Sequence, residues 1–138
     1  MPRYLLDTNV LSEPISKTPD KKVLRLLNEH GHESATAAPV IHELRYGSKL
    51  LEPSRRRAEV ERYIDEVVLR LYPVLTYDLA AAEWHAEERA RLSKIGKPPP
   101  NVDGLIAAIA KVNGLVLVTA NVKDFRAFKE LSVENWKR

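Results

Sequence analysis

The stretch Tyr4-Leu5-Leu6-Asp7-Thr8-Asn9-Val10 decides how the rest of the chain is interpreted. An apolar run ends abruptly in three small polar residues. Because nothing polar interrupts it, the run predicts a buried strand. Asp7 then lies at the carboxyl end of that strand, where ligands and catalytic groups gather in open parallel sheets. Asp, Thr and Asn are also ordinary helix N-cap residues, so a helix cap and a functional carboxylate are equal alternatives at this point.

The composition indicates one domain spanning residues 1–138. Of the 138 residues, 44% are hydrophobic and 30% are charged, and the net charge is only +3. This mild basic excess permits a phosphate-rich partner without requiring one. The absence of Cys excludes disulfides and thiolate metal sites, and it fits a reducing, cytoplasmic location. No apolar run approaches the roughly 20 residues of a membrane span, and we expect neither a signal peptide nor membrane contact.

Predicted strands alternate with predicted helices along the chain. Besides the first strand, residues 115–118 form the clearest strand, and weaker strands are expected at 32–37, 71–75 and 131–136. Helices are expected at 20–30, 39–51, 53–69, 78–95 and 102–110. We interpret His85, on the fourth of these helices, as a packing or surface residue. The alternation predicts an α/β fold with a mostly parallel sheet and right-handed crossovers.

Glu43 is the second carboxylate that attracts attention. It is the only charge in the stripe Val40, Glu43, Gly47 and Leu50 of a helix that Pro39 opens. An isolated charge on an apolar face is costly unless it has a partner or a cation. Gly47 leaves room for a close approach one turn further on. The alternative is a partly exposed glutamate at the edge of that face.

Asp103 lies in the first turn of helix 102–110, which is apolar on all sides and is therefore expected to be buried. Asn101 is its predicted N-cap. The ordinary role of Asp103 would be to interact with the helix dipole, which contributes about 0.3–1 kcal/mol. Gly104 beside it weakens a helix by about 0.5–1 kcal/mol relative to Ala, which indicates that something approaches the backbone there.

Asp124 follows the strand 115–118 within Thr119-Ala120-Asn121-Val122-Lys123-Asp124-Phe125. Asn121 and Asp124 also fit a capping box with Asp in place of Glu, so a helix cap is again the alternative. Lys123 and Arg126 are candidates for phosphate contacts only because they lie next to Asp124 in the sequence.

Strand ends and helix starts share one edge of a doubly wound sheet, so the topology directs Asp7, Asp103 and Asp124 to the same place. Glu43 joins them if its helix packs over that edge. Two such charges 4 Å apart repel by about 4 kcal/mol at an effective dielectric constant of 20, so either some are protonated or a cation neutralises them. Oxygen ligands without Cys favour Mg²⁺ or Mn²⁺. Such an ion suits phosphodiester hydrolysis.

Four motifs in order give the chain a family resemblance. They are Leu5-Leu6-Asp7-Thr8-Asn9-Val10, Ile41-His42-Glu43-Leu44-Arg45-Tyr46-Gly47, Asn101-Val102-Asp103-Gly104-Leu105-Ile106-Ala107-Ala108 and Thr119-Ala120-Asn121-Val122-Lys123-Asp124-Phe125. With these motifs the chain resembles the PIN-domain ribonucleases, in particular the VapC-type toxins of toxin–antitoxin pairs. The continuation Ser12-Glu13-Pro14 resembles the branch that contains the FitB-type toxin.

The resemblance implies a PIN-like three-layer α/β/α sandwich, usually a homodimer. It implies Mg²⁺ or Mn²⁺ at an acidic quartet, with Asp7 and Asp103 as the main ligands and Glu43 and Asp124 completing the site or helping to activate water. Thr8, Asn9, Thr119 and Asn121 would orient the carboxylates. Some relatives carry their last acid at the position of Asn121, so Asn121 and Asp124 are alternatives for the fourth position. The family's substrate is RNA, often tRNA or ribosomal RNA, and its partner is a small VapB-like antitoxin.

Two other function classes stay open at this point. A non-catalytic module on the same fold would bind nucleic acid or dimerise, and it would lack carboxylate-dependent Mn²⁺ affinity. An aspartyl-nucleophile phosphatase would also place an Asp after its first strand. Those enzymes generally carry a second Asp two residues later, where this chain has Asn9.

Overall fold

The structure is a computed structural model and describes residues 2–137. Its centre is a five-stranded sheet in which all four strand pairings are parallel. The strand order is β3-β2-β1-β4-β5. The strands are β1 Tyr4–Leu6, β2 Ser34–Ala37, β3 Val74–Leu75, β4 Val116–Val118 and β5 Val133–Glu134. The predicted α/β/α fold with a parallel sheet is therefore confirmed.

Eight α-helices connect these strands within the described residues. They are α1 Thr8–Leu11, α2 Lys21–His30, α3 Ala38–Leu50, α4 Arg55–Tyr63, α5 Leu69–Leu71, α6 Leu79–Lys94, α7 Asn101–Val112 and α8 Val122–Phe125. The predicted helix 53–69 begins later, behind the N-cap Ser54, and a π-helical turn, Ile64–Val68, separates α4 from α5. The predicted N-cap Asn101 is wrong by one residue, because Asn101 is already helical and Pro100 precedes it as the cap.

The direction in which the chain adds strands to the sheet changes at β1, although all the strands are parallel. From β1 the chain moves outward to β2 and β3, and it later returns to the other side of β1 with β4 and β5. The carboxyl ends of β1 and β4 therefore lie side by side where the strand order changes. In open α/β sheets this position forms a crevice in which ligands bind. The backbone nitrogen of Asp7 extends the ladder by donating to the carbonyl of Val118 at 3.0 Å.

Burial explains which predicted elements were clear in the sequence. All residues of β1 and β2 are buried. The edge strands β3 and β5 are two residues long and lie nearer the surface. In α7, the buried residues include Gly104 and the run from Ile106 to Ala110, as its apolar sequence predicts. Across residues 2–137, no helix has the length and apolar character needed to cross a membrane.

Candidate active site

Asp7 is held at the carboxyl end of β1 by three hydrogen bonds. Its Oδ1 accepts from the backbone nitrogen of Thr8 at 2.8 Å, so Asp7 caps the short helix α1. Its Oδ2 accepts from Thr119 Oγ1 at 2.8 Å and from Asn9 Nδ2 at 3.4 Å. Burial raises the pKa of Asp7, and the three hydrogen bonds act in the opposite direction. The helix-cap alternative is confirmed, because Oδ1 caps α1, while Oδ2 faces the end of the neighbouring strand β4.

The hydroxyl of Thr119 joins the ends of β1 and β4. It donates to Asp7 and accepts from Asn9 Nδ2 at 3.2 Å and from the backbone nitrogen of Asn121 at 3.1 Å. One donor and two acceptors are the full capacity of a hydroxyl, and Thr119 is completely buried. Asn9 closes the arrangement, because its Oδ1 accepts from the backbone nitrogen of Ala120 at 2.9 Å. The Asp7 carboxylate is therefore fixed in direction.

Glu43 reaches this edge from α3. Its Oε1 accepts from Thr8 Oγ1 at 3.0 Å, which shows that α3 packs over the start of α1. The side chain is partly exposed, as the alternative interpretation expected, but it has a specific partner. No atom of the described chain would approach a Cβ on Gly47 within 4 Å, so the space in front of Gly47 is open.

The charges of the other three acids affect the protonation of Asp103. Its pKa is raised to about 6, first by burial and then by the charges of Asp7, Asp124 and Glu43. Asp7, Glu43 and Asp124 thus lie within electrostatic range of Asp103, although they come from distant parts of the sequence. Repulsion of this kind is what a bound cation relieves.

Asp124 lies on α8, and it is exposed. The predicted capping box does not form, because the Asn121 side chain makes no capping hydrogen bond and only its carbonyl accepts from the backbone nitrogen of Asp124 at 3.1 Å. The two residues line an open groove of about 410 Å³ together with Lys123, Arg126 and Asn135. Asp124, unlike Asn121, adds a charge to the acidic group.

The acidic group suits a hard divalent cation in its chemistry. Its donors are carboxylate oxygens, which Mg²⁺ and Mn²⁺ prefer, and the charges of the neighbouring acids add to burial in raising the pKa of Asp103. Within residues 2–137, however, no three His, Asp or Glu side chains are arranged to hold one ion. Mg²⁺ commonly keeps several water ligands and is held by only one or two carboxylates, so a site does not need all four acids around the ion.

Two buried residues on α6 lie behind the site: His85, which the sequence indicated as a packing or surface residue and which indeed packs, and Glu88, which was not singled out from the sequence. His85 is buried and packs against Gly104, beside Asp103. Glu88 is also buried and accepts a hydrogen bond from the backbone nitrogen of Lys129 at 2.7 Å. Gly104 was the only signal in the sequence, because its cost in a helix indicates a close approach.

Comparison with known proteins identifies the family. The PIN domain matches residues 4–131 of the chain. This chain belongs to the PIN-domain family. The resemblance recognised from the four motifs is confirmed. The tRNA(fMet)-specific endonuclease VapC of Shigella flexneri is 31% identical to this chain over 137 residues, which cover 99% of each protein.

The branch suggested by Ser12-Glu13-Pro14 also contains relatives of this PIN-domain chain. Toxin FitB of Neisseria gonorrhoeae is 32% identical over 126 residues, which cover 89% of this chain and 91% of FitB. A structure of FitAB bound to an IR36 DNA fragment superposes with a TM-score of 0.89 at 28% identity, covering 98% of this chain and 96% of that one. The PIN fold is therefore shared over nearly the whole length.

Proposed function

We propose that this protein is a metal-dependent endoribonuclease that acts as the toxin of a toxin–antitoxin pair. The observation that carries the proposal is that acids from distant parts of the chain meet, because Thr8 donates to Glu43 beside the Asp7 carboxylate and the charges of Asp7, Asp124 and Glu43 add to burial in raising the pKa of Asp103 to about 6. The four acids lie at the edge of the sheet where ligands bind in open α/β folds. Similarity to a tRNA endonuclease over 99% of the chain supports RNA as the substrate, with tRNA and ribosomal RNA as the two classes to test.

Asp7 and Asp103 are the proposed main ligands of Mg²⁺ or Mn²⁺, while Glu43 and Asp124 complete the site or help to activate water. When bound, the cation would lower the pKa of a water molecule and offset the charge that develops on the leaving oxygen. Asn121 remains the alternative to Asp124 for the fourth position, and mutation of each separates the two.

The neighbouring polar residues hold the carboxylates in place for this chemistry. Thr119 and Asn9 fix Asp7 through hydrogen bonds of 2.8 and 3.4 Å, and Thr8 fixes Glu43 through one of 3.0 Å. Such preorganisation matters because charge stabilisation in a site depends on groups that need not reorganise during the reaction.

Lys123 and Arg126 are the proposed contacts to the RNA phosphates. Both are exposed and line the groove that contains Asp124. Neither forms an ion pair with another described residue. Two uncompensated cations beside an acidic site can hold a phosphodiester backbone next to the position of cleavage.

The proposed partners are a small VapB-like antitoxin and a second copy of the chain. The structural similarity to FitAB, a toxin complex bound to DNA, supports the first. The family resemblance supports the homodimer, and light scattering of the purified chain measures it. A short antitoxin-like reading frame next to the gene would support the pairing, and a cytoplasmic location follows from the proposed RNA substrate.

The decisive experiment incubates the purified chain with end-labelled cellular RNA and either Mg²⁺ or Mn²⁺. We expect cleavage that EDTA abolishes and that Asp7→Asn or Asp103→Asn slows by about 100-fold or more, since each removes charge from the reacting centre. Sequencing the new RNA ends after brief expression identifies the substrate and the cleaved position.

Asp65→Asn is the matched control, because Asp65 is an exposed acid that pairs with Arg45 and its charge does not contribute to the raised pKa of Asp103. It should cleave RNA at the wild-type rate. Absence of cleavage with both cations, together with equal growth inhibition by wild type and Asp7→Asn, would overturn the proposal. A Mn²⁺ titration without carboxylate-dependent binding would instead favour the non-catalytic module.

A further inference from the structure

The contact between α6 and the first turn of α7 is a histidine ring seated on a glycine. His85 is only 5% exposed. A Cβ atom placed on Gly104 would lie 2.3 Å from His85 Nε2 and 3.1 Å from both Cδ2 and Cε1. Real Cβ atoms do not approach so closely, so a side chain at position 104 forces the ring or the helix to move. Glycine is needed here because two elements touch.

The ring of His85 is held in one orientation. Its Nδ1 lies 2.9 Å from Tyr77 Oη, and the two rings meet edge to face at an interplanar angle of 89°. Its Nε2 is buried and has no hydrogen-bond partner among the described residues. Burial and the charge of Arg89 lower the pKa of His85, so the ring is neutral. A neutral ring whose Nδ1–H donates to Tyr77 Oη leaves only the acceptor Nε2 unpaired, which is the better tolerated case.

Asp103 immediately precedes Gly104 in the first turn of α7. We propose that His85 is a positioning residue, whose ring sets the distance between α6 and the start of α7 and thereby places the Asp103 carboxylate relative to Asp7. Tyr77 holds the ring, and Gly104 accepts it. The proposal rests on the proposed function only in treating Asp103 as a metal ligand.

The test compares Gly104→Ala, His85→Ala and the double variant, with Mn²⁺ affinity measured by calorimetry and RNA cleavage measured beside it. Gly104→Ala pushes Asp103 out of position, and we expect Mn²⁺ affinity to fall by about 10- to 100-fold, as when the support of a metal ligand is lost. Turnover falls together with the Mn²⁺ affinity, whereas the KM for RNA changes little because other residues bind the RNA. His85→Ala removes the ring that spaces the two helices and should lower Mn²⁺ affinity by a few-fold, less than Gly104→Ala does. In the double variant the new methyl group occupies space that the ring has left, so Mn²⁺ affinity returns to that of His85→Ala.

Gly31→Ala is the matched control, since Gly31 also has a helical backbone but a Cβ there would meet only Tyr72 Oη, at 4.0 Å. It should bind Mn²⁺ as wild type does. A folded Gly104→Ala with wild-type affinity, or a double variant no better than Gly104→Ala, would overturn the positioning role. If Gly104→Ala does not fold, Tyr77→Phe frees the ring without adding bulk. A few-fold loss of Mn²⁺ affinity then supports the role, and an unchanged affinity refutes it.

A metal-independent measurement separates this inference from the proposed function. In the metal-free protein at constant pH, Tyr77→Phe, which keeps both aromatic rings but removes the hydroxyl that holds His85, should move the carboxyl ¹³C signal of Asp103, and Gly31→Ala should not. If the wild type binds no Mn²⁺ and cleaves no RNA but this signal moves, the proposed function fails while the positioning role stands. An unmoved signal overturns the positioning role.

Discussion

At the scale of single residues, the carboxyl group of Asp103 links the site to the stability of the fold. Its pKa is raised from 3.8 to about 6 by burial and by the neighbouring acids. The folded state therefore retains a proton that the unfolded state releases, and stability falls as the pH rises from about 4 through 6. Above that range the charged Asp103 destabilises the metal-free protein.

Replacing this charge should stabilise the protein in EDTA. A shift of that size corresponds to at most about 3 kcal/mol, and solvent screening of the partly exposed group reduces it to about 1–2 kcal/mol. Asp103→Asn should raise the free energy of unfolding by that amount at about pH 7.5, and by nearly nothing at about pH 4. Urea denaturation at the two pH values measures the difference.

Asp65→Asn serves as the comparison, because the side chain of Asp65 is 56% exposed. It should change stability by less than about 0.5 kcal/mol at either pH. A loss of stability in Asp103→Asn at the higher pH would contradict the electrostatic account of Asp103.

At the scale of elements, α6 supports the site without carrying a candidate ligand. Glu88 pairs with Arg91 at 2.8 and 2.9 Å and accepts from the backbone of Lys129, and Arg91 donates to the carbonyl of Ala127 at 2.8 Å. These bonds fasten the segment that follows α8 and Asp124. The hydrogen bond from Arg91 lowers the pKa of Glu88, so this stabilisation is present above about pH 4.5 and is lost as the pH falls through the lowered value.

Glu88→Ala should lower the free energy of unfolding by about 2–3 kcal/mol at neutral pH, because it leaves Arg91 and the Lys129 amide without their partner. Hydrogen exchange should accelerate at Lys129 more than in β1. The control is Glu87→Ala at an exposed neighbouring residue, which should lower the free energy of unfolding by less than about 0.5 kcal/mol. Equal exchange rates in the two variants would show that Glu88 does not hold this segment.

At the scale of the whole molecule, the net charge of +3 is too small to attract RNA by itself. Binding must then depend on a few local phosphate contacts. In an Asp7→Asn background, which prevents cleavage, Lys123→Ala and Arg126→Ala should each reduce the slope of log K against log salt by about 0.7–1. Filter binding of a fixed RNA at several salt concentrations measures the slope.

Lys111→Ala is the control for this measurement, because Lys111 lies in the last turn of α7, at the opposite end from Asp103. The slope of log K against log salt for Lys111→Ala should equal that of the Asp7→Asn parent. If Lys111→Ala and Lys123→Ala reduce the slope equally, RNA does not follow the groove beside Asp124.

Much of the architecture was determined by the sequence itself. The uninterrupted apolar runs of β1, β4 and α7 mark buried elements, because an unbroken apolar segment has no solvent-facing side. The alternation of strands and helices then fixes a parallel sheet, and the carboxyl ends of parallel strands share one edge. Asp7, Asp103 and Asp124 were predictable at that edge for this reason.

The tertiary structure alone decided which side chains touch there. Thr119 bonds Asp7 across 112 positions of sequence, and Thr8 bonds Glu43 across 35. The same argument from glycine applied to Gly47 and Gly104, yet only Gly104 has a close neighbour, and that neighbour is the ring of His85. Periodicity and propensity describe one element at a time, whereas these contacts depend on how separate elements pack against each other.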